Sequence, residues 1–115
     1  MRRVAALIRL IDAKALVCCA YLELAAPDLN SAVQELKNAG AASIHIVPIF
    51  LGVGKHLRED LPSLAQRLRD AHPGLAVSVA RPVGEDARLL ELIAGMALES
   101  ATSRPRAGPA PASLE

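Results

Sequence analysis

Aromatic side chains are almost absent from this 115-residue chain, which has Tyr21, Phe50 and no tryptophan. Without a row of rings on which bases can stack, no platform for single-stranded nucleic acid is expected. An excess of charge of one sign is lacking too. Lys and Arg total 13 against 12 for Asp and Glu, and a formal charge of +1 with no long like-charged run is not the footprint of a nucleic-acid binder. No stretch of about 20 uncharged apolar residues occurs, so no membrane span is expected. Arg9, Asp12 and Lys14 interrupt the first apolar stretch too early for a secretory signal. Cysteine is limited to the adjacent Cys18 and Cys19, which point to opposite faces of a strand and do not pair, as suits buried free thiols in a reducing cytoplasm.

What remains is enough for one domain. Val4, Leu7, Ile8 and Ile11 share a helical stripe, so the chain opens in an amphipathic helix. Residues 15–22, ALVCCAYL, are expected to form a buried strand, followed by a loop at Pro27 and Asp28. Asp28 suits the N-cap of a second helix carrying Leu29, Ala32, Val33 and Leu36, which Gly40 stops. Residues 43–51 are apolar apart from His45, the pattern of a second strand covered on both faces in a parallel sheet.

Asp60 is expected to cap a third helix with Leu61, Leu64, Ala65 and Leu68 inward and Pro62 in its first turn, ending at His72-Pro73-Gly74. A third strand over 75–80, a turn over 82–86 and a last helix with Leu89, Ile93, Met96 and Ala97 inward complete the domain. From Thr102 on, the Pro- and Ala-rich composition predicts a disordered tail, residues 102–115. This order of elements predicts an α/β domain with a parallel sheet and right-handed crossovers.

Residues 46–62, IVPIFLGVGKHLREDLP, carry the candidate site. Ligands of parallel sheets bind beyond the carboxyl ends of the strands, where this loop falls, and Gly52 and Gly54 permit close backbone approach. Three strand ends lead to loops holding Glu23, then Lys55, His56 and Arg58, then Glu85 and Asp86, and in a parallel sheet all three share one edge. An imidazole with carboxylates suits divalent Co, Ni, Fe or Zn. Taken singly, His56 reads more often as a solvated loop histidine than as a ligand, Glu23 more often as an ordinary strand-end acid, and Lys55 and Arg58 most often as solvated surface charges. His45 lies within a strand, and His72 suits the C-terminus of a helix, where its charge complements the dipole. LGVGKH is neither a phosphate-binding P-loop, lacking the longer glycine loop and the hydroxyl after lysine, nor a dinucleotide fingerprint, lacking the third glycine. No nucleotide is expected.

Three segments, VPIFLGVGKHLREDLP, AYLELAAPDL and PVGEDARLLELI, together resemble the CbiX/SirB family of small sirohydrochlorin chelatases over residues 1–101. The resemblance implies a chelatase-like three-layer α/β fold over 1–101 and ATP-independent insertion of a divalent metal, cobalt first and nickel or ferrous iron next, into sirohydrochlorin or a related tetrapyrrole. It implies that His56 is a metal ligand and catalytic base, that Glu23 is a second ligand, and that Lys55 and Arg58 hold substrate carboxylates. A cytoplasmic homodimer is implied as well. The family's first strand, ending in H-G-S with the histidine that is the other principal metal ligand and base, has no counterpart here, so the chain lacks one expected catalytic histidine, and MRRVAALIRL resembles the later part of the helix that follows it. That departure implies a gap in the sheet between 15–22 and 43–51, and either a start codon placed too far downstream or a truncated chain. A non-catalytic metal- or tetrapyrrole-binding protein retaining half of the site is the alternative.

Overall fold

The computed structural model describes residues 1–21, 28–52 and 55–103, with the backbone alone for residues 55–58 and Ser103. Among the described residues four α-helices and two β-strands follow in the order α1 (Arg2–Ile11), α2 (Leu29–Asn38), β1 (Ser43–Ile46), α3 (Lys55–Ala71), β2 (Ala76–Val79) and α4 (Ala87–Ser103), with a single 3₁₀ turn at Val83–Glu85. β1 and β2 pair in one sheet. The Ala76 N–H donates to Ala42 O (3.2 Å) and the Ala80 N–H to Ile46 O (2.9 Å), a constant offset in register that makes the pair parallel with α3 as its crossover. The expected α/β class with a parallel sheet is therefore what the chain adopts.

The chain divides into two compact units. The first comprises residues 1–45 and 64–78. Its core joins Ala32 and Val33 of α2, Ile44 of β1, Ala65 and Leu68 of α3, and Leu75 and Val77, with Ala5 of α1 also buried. α2 forms where Asp28 predicted it: the Asp28 carboxylate accepts the Ser31 N–H at 2.8 Å, and Gly40, at φ 103°, takes the left-handed conformation that closes the helix. That hydrogen bond to Ser31 holds the Asp28 carboxyl below its ordinary range. Arg69 donates from Nε (3.2 Å) and Nη2 (2.8 Å) to the Val77 carbonyl, satisfying a group on the edge of β2 that faces away from β1.

The second unit comprises residues 46–63 and 79–115. Here the Val83 N–H donates to Pro48 O (3.0 Å) and the Gly84 N–H to Phe50 O (2.9 Å), so the segment after β2 is stitched to the segment after β1. Pro48 and Pro82 are its buried described residues. A Cβ at Gly84 would collide with the Leu51 carbonyl oxygen and lie 2.6 Å from Phe50 O, so only glycine fits between these segments. Along α4, Leu89, Ile93 and Ala97 form a half-buried stripe at helical spacing.

Several expectations are corrected. Residues 15–20 form no strand, and Tyr21 makes only an isolated bridge to Asp28; Leu22 lies outside the described residues. Apolar composition makes a strand only where a ladder partner exists, and this segment has none among the described residues. β1 stops at Ile46 instead of Leu51, because Pro48 cannot donate to a ladder. Nor is β1 covered on both faces: Ile44 is buried while Ser43 and His45 are exposed, and β2 alternates in the same way. α3 begins at Lys55 rather than at Asp60, so Pro62 stands in its interior. An interior proline costs about 3 kcal/mol, a penalty offset by the good helix formers before it and by burial of Ala65 and Leu68 after it. Met96 is 59% exposed and Val4, Leu7, Ile8 and Ile11 are exposed as well, so those apolar positions do not face the described core. α4 continues through Ser103, and residues 104–115 lie outside the described residues.

Candidate functional site

The carboxyl ends of β1 and β2 lie side by side, as parallel pairing requires, and both belong to the second unit. From β1 the chain passes through buried Pro48 to the glycine loop and into α3. Lys55, His56 and Arg58 occupy the first turn of α3 by their backbone, at the positive end of that helix. Their side chains, and all of Glu23, lie outside the described residues. Lys55 thus begins α3 beyond the carboxyl end of β1, while Val53, Gly54 and the meeting of His56 with Glu23 lie outside the described residues.

From β2 the chain passes Ala80, Arg81 and buried Pro82 into the 3₁₀ turn and then Asp86. The Asp86 Oδ1 accepts the Arg88 N–H at 2.8 Å, and its backbone carbonyl accepts the Leu89 and Leu90 N–H groups at 3.1 Å, which fixes the start of α4. Arg88 folds back on the same carboxylate, Nε to Oδ1 at 3.0 Å and Nη2 to Oδ2 at 2.7 Å, a bidentate pair. These Arg88 hydrogen bonds hold the Asp86 carboxyl down, from 3.8 to about 2.

Between these segments and α4 lies an open cleft of about 850 Å³. Val47, Pro82 and Val83 line it from the strand ends, and Leu89 and Leu92 from α4. Its polar lining is Arg81, Glu85 and the Asp86–Arg88 pair. Glu85 and Asp86 thus stand at the sheet edge that the strand order predicted, and Arg81 was missed. Its signal was present in the sequence, a basic residue directly after a strand and before a proline turn.

The other titratable groups stand apart from this cleft. His45 Nδ1 lies 2.8 Å from Ser78 Oγ across the exposed face of the strand pair. His72, 4% exposed, donates from Nε2 to Asn30 Oδ1 at 2.9 Å, while its buried Nδ1 has no partner among the described residues. His72 thus ties the end of α3 to the start of α2. Cys18 and Cys19 are free and half-buried. Burial pushes the Cys18 thiol up, and the Glu35 carboxylate 3.7 Å from its Sγ pushes the same way, so it is not a reactive thiolate. Among the described residues no three His, Cys, Asp or Glu side chains come together as a metal-holding group, and no helix is long and apolar enough to cross a membrane.

Comparison with known proteins agrees with this placement of the elements. Sirohydrochlorin ferrochelatase of Priestia megaterium is 30% identical over 73 residues, which cover 64% of this chain and 27% of that protein. Sirohydrochlorin cobaltochelatase of Sulfurisphaera tokodaii is 26% identical over 73 residues, covering 64% and 58%. The chain spans less than two thirds of the length of these curated relatives. A solved structure of a CbiX protein from Marinobacter aquaeolei VT8, named for cobalamin (vitamin B12) biosynthesis, superposes with a TM-score of 0.73 at 31% identity, covering 90% of this chain and 86% of that one. The family model CbiX matches residues 1–100. With its G-K-H loop leaving the carboxyl end of a parallel strand, the chain belongs to the CbiX family.

Proposed function

We propose that the protein inserts a divalent metal, cobalt first, into sirohydrochlorin or a related tetrapyrrole without nucleotide hydrolysis. The observation that carries this reading is the family match across residues 1–100, joined to the position of Lys55, His56 and Arg58 in the turn of α3 nearest the carboxyl end of β1. Relatives named for both cobalt and iron insertion agree with a divalent metal substrate.

In this reading His56 and Glu23 hold the incoming metal while it keeps open positions. As the metal passes from His56 to the pyrrole nitrogens, the imidazole it leaves accepts one of the two N–H protons of the macrocycle, and the displaced metal-bound water carries the other to solvent. Lys55 and Arg58 form charge-assisted contacts with carboxylates on the tetrapyrrole rim. A homodimer in the cytoplasm belongs to the same proposal.

An absorbance assay of cobalt insertion into sirohydrochlorin tests it. The chain converts substrate, and His56→Ala lowers kcat/KM by at least about a hundredfold, the range of general acid–base catalysis. Equal rates in the two proteins would remove His56 from the site. Binding of metal and tetrapyrrole without insertion would replace the enzyme with a binding protein.

A further inference from the structure

The cleft beside α4 holds two guanidinium groups in opposite situations. Arg88 is committed: Asp86 takes two of its donors and neutralises it. Arg81 is exposed and makes no hydrogen bond or ion pair among the described residues, although it stands on the same lining. Its backbone position is closely held. Ala80 just before it makes the last hydrogen bond of the strand pair, to Ile46 O, and Pro82 just after it is buried, with Val83 bonded to Pro48 O. A cation thus projects from a rigid strand end beside an apolar wall.

We infer that Arg81 is a substrate-binding residue: its guanidinium takes a peripheral carboxylate of the anionic tetrapyrrole, whose macrocycle lies against Val47, Pro82, Val83, Leu89 and Leu92. This rests on the proposed chelatase reading and extends it to a second basic anchor on the strand end opposite Lys55 and Arg58. Three features of the cleft favour this occupant. Its volume, about 850 Å³, falls within the range of about 300–1,000 Å³ of small-molecule sites. An apolar wall with a polar group at the margin matches a flat ring system that carries its charges on the rim. The planar fork of arginine, with no carboxylate of the described residues on it, fits a carboxylate bidentately.

Metal-free sirohydrochlorin is titrated into the full chain and followed by its absorbance and fluorescence, using the unmodified protein, Arg81→Gln, Arg81→Lys and, from the same cleft, Arg88→Gln. The Kd rises about tenfold in Arg81→Gln and recovers partly in Arg81→Lys, the scale of one charge-assisted hydrogen bond. KM for insertion rises by the same factor with kcat unchanged, the signature of lost substrate binding. Arg88→Gln stays within about twofold because its charge is already taken by Asp86. The fully methyl-esterified macrocycle binds the unmodified protein and Arg81→Gln equally. Since Arg81 is exposed, the melting temperature of Arg81→Gln matches that of the unmodified protein. If Arg81→Gln binds as tightly as an unmodified protein that also turns over, or if Arg88→Gln loses as much, the Arg81 assignment is overturned while the chelatase reading stands. Failure of the unmodified protein to bind the tetrapyrrole overturns both.

Discussion

Residues 1–45 and 64–78 hold the buried core, with Val33, Ile44, Leu68 and Val77 among its members, whereas residues 46–63 and 79–115 bury Pro48 and Pro82 among their described residues; large apolar side chains are exposed in both, Leu7, Leu10 and Ile11 in the first and Leu90, Leu92, Met96 and Leu98 in the second. The first unit is held by side chains packed out of water. The second is held by backbone stitching, Val83 to Pro48 and Gly84 to Phe50, and by the Asp86 cap of α4. The G-K-H turn and the cleft both fall in the second unit. Under the proposed function the contrast teaches a division of labour: a site for a bulky, flat substrate needs open apolar surface, and that surface is unavailable for burial in a core.

Truncation of leucines breaks the comparison most sharply. Leu68→Ala, in the first unit and 4% exposed, loses about 3 kcal/mol in denaturant unfolding, from lost transfer energy and the cavity left behind. Leu92→Ala, 60% exposed on the cleft, stays within about 0.5 kcal/mol. Equal losses would mean that the apolar face of α4 is covered in solution, and the contrast between the units would fall.

Gly84→Ala is next. The added methyl meets the Leu51 carbonyl, a backbone atom that cannot rotate away, so the stitch between the two strand-end segments must open. A loss of about 2 kcal/mol is expected from overpacking, together with weaker tetrapyrrole binding, because Pro82 and Val83 move with the segment. Unfolding measurements and the sirohydrochlorin titration read both effects, and unchanged values in each would show that the stitch does not shape the cleft.

The smallest effect is the acid response of α4. Asp86 is held at about 2, below its ordinary 3.8, by its Arg88 hydrogen bonds. A carboxyl depressed in the folded state contributes stability that is fully present above its unfolded value and is lost as pH falls through the folded one. Helicity followed by circular dichroism therefore declines between about pH 4 and pH 2, and Asp86→Asn removes that part of the decline. An identical acid profile in the variant would show that the Arg88 pair does not stabilise the start of α4.

Much of the fold was legible in local patterns. Asp28 and Gly40 bound α2 because capping and positive φ are properties of single residues. The strand over 75–80 and the turn over 82–86 appear as β2 and the 3₁₀ turn. The strand expected over 15–22 does not form over residues 15–20, since a strand is a relation between two segments and no ladder partner stands among the described residues. Pro62 misled the placement of α3: proline favours a first turn, yet helix-forming neighbours and the burial of Ala65 and Leu68 carry the helix through it. At the site, Glu85 and Asp86 were placed on the right edge by strand order alone. Arg81 was not, because whether a cation is free or already paired depends on which carboxylate reaches it, and Asp86 reaches Arg88.

By itself the sequence determined the family, the parallel α/β plan and the loop that carries Lys55, His56 and Arg58, since each rests on residue types at short, fixed spacings. The tertiary structure alone decided where the core ends and the cleft begins, that position 84 accepts nothing larger than glycine, and that among the described residues Asp86 pairs with Arg88 and not with Arg81. Those facts depend on the distance between segments some thirty residues apart in sequence, set by the register of β1 on β2, and no local pattern encodes it.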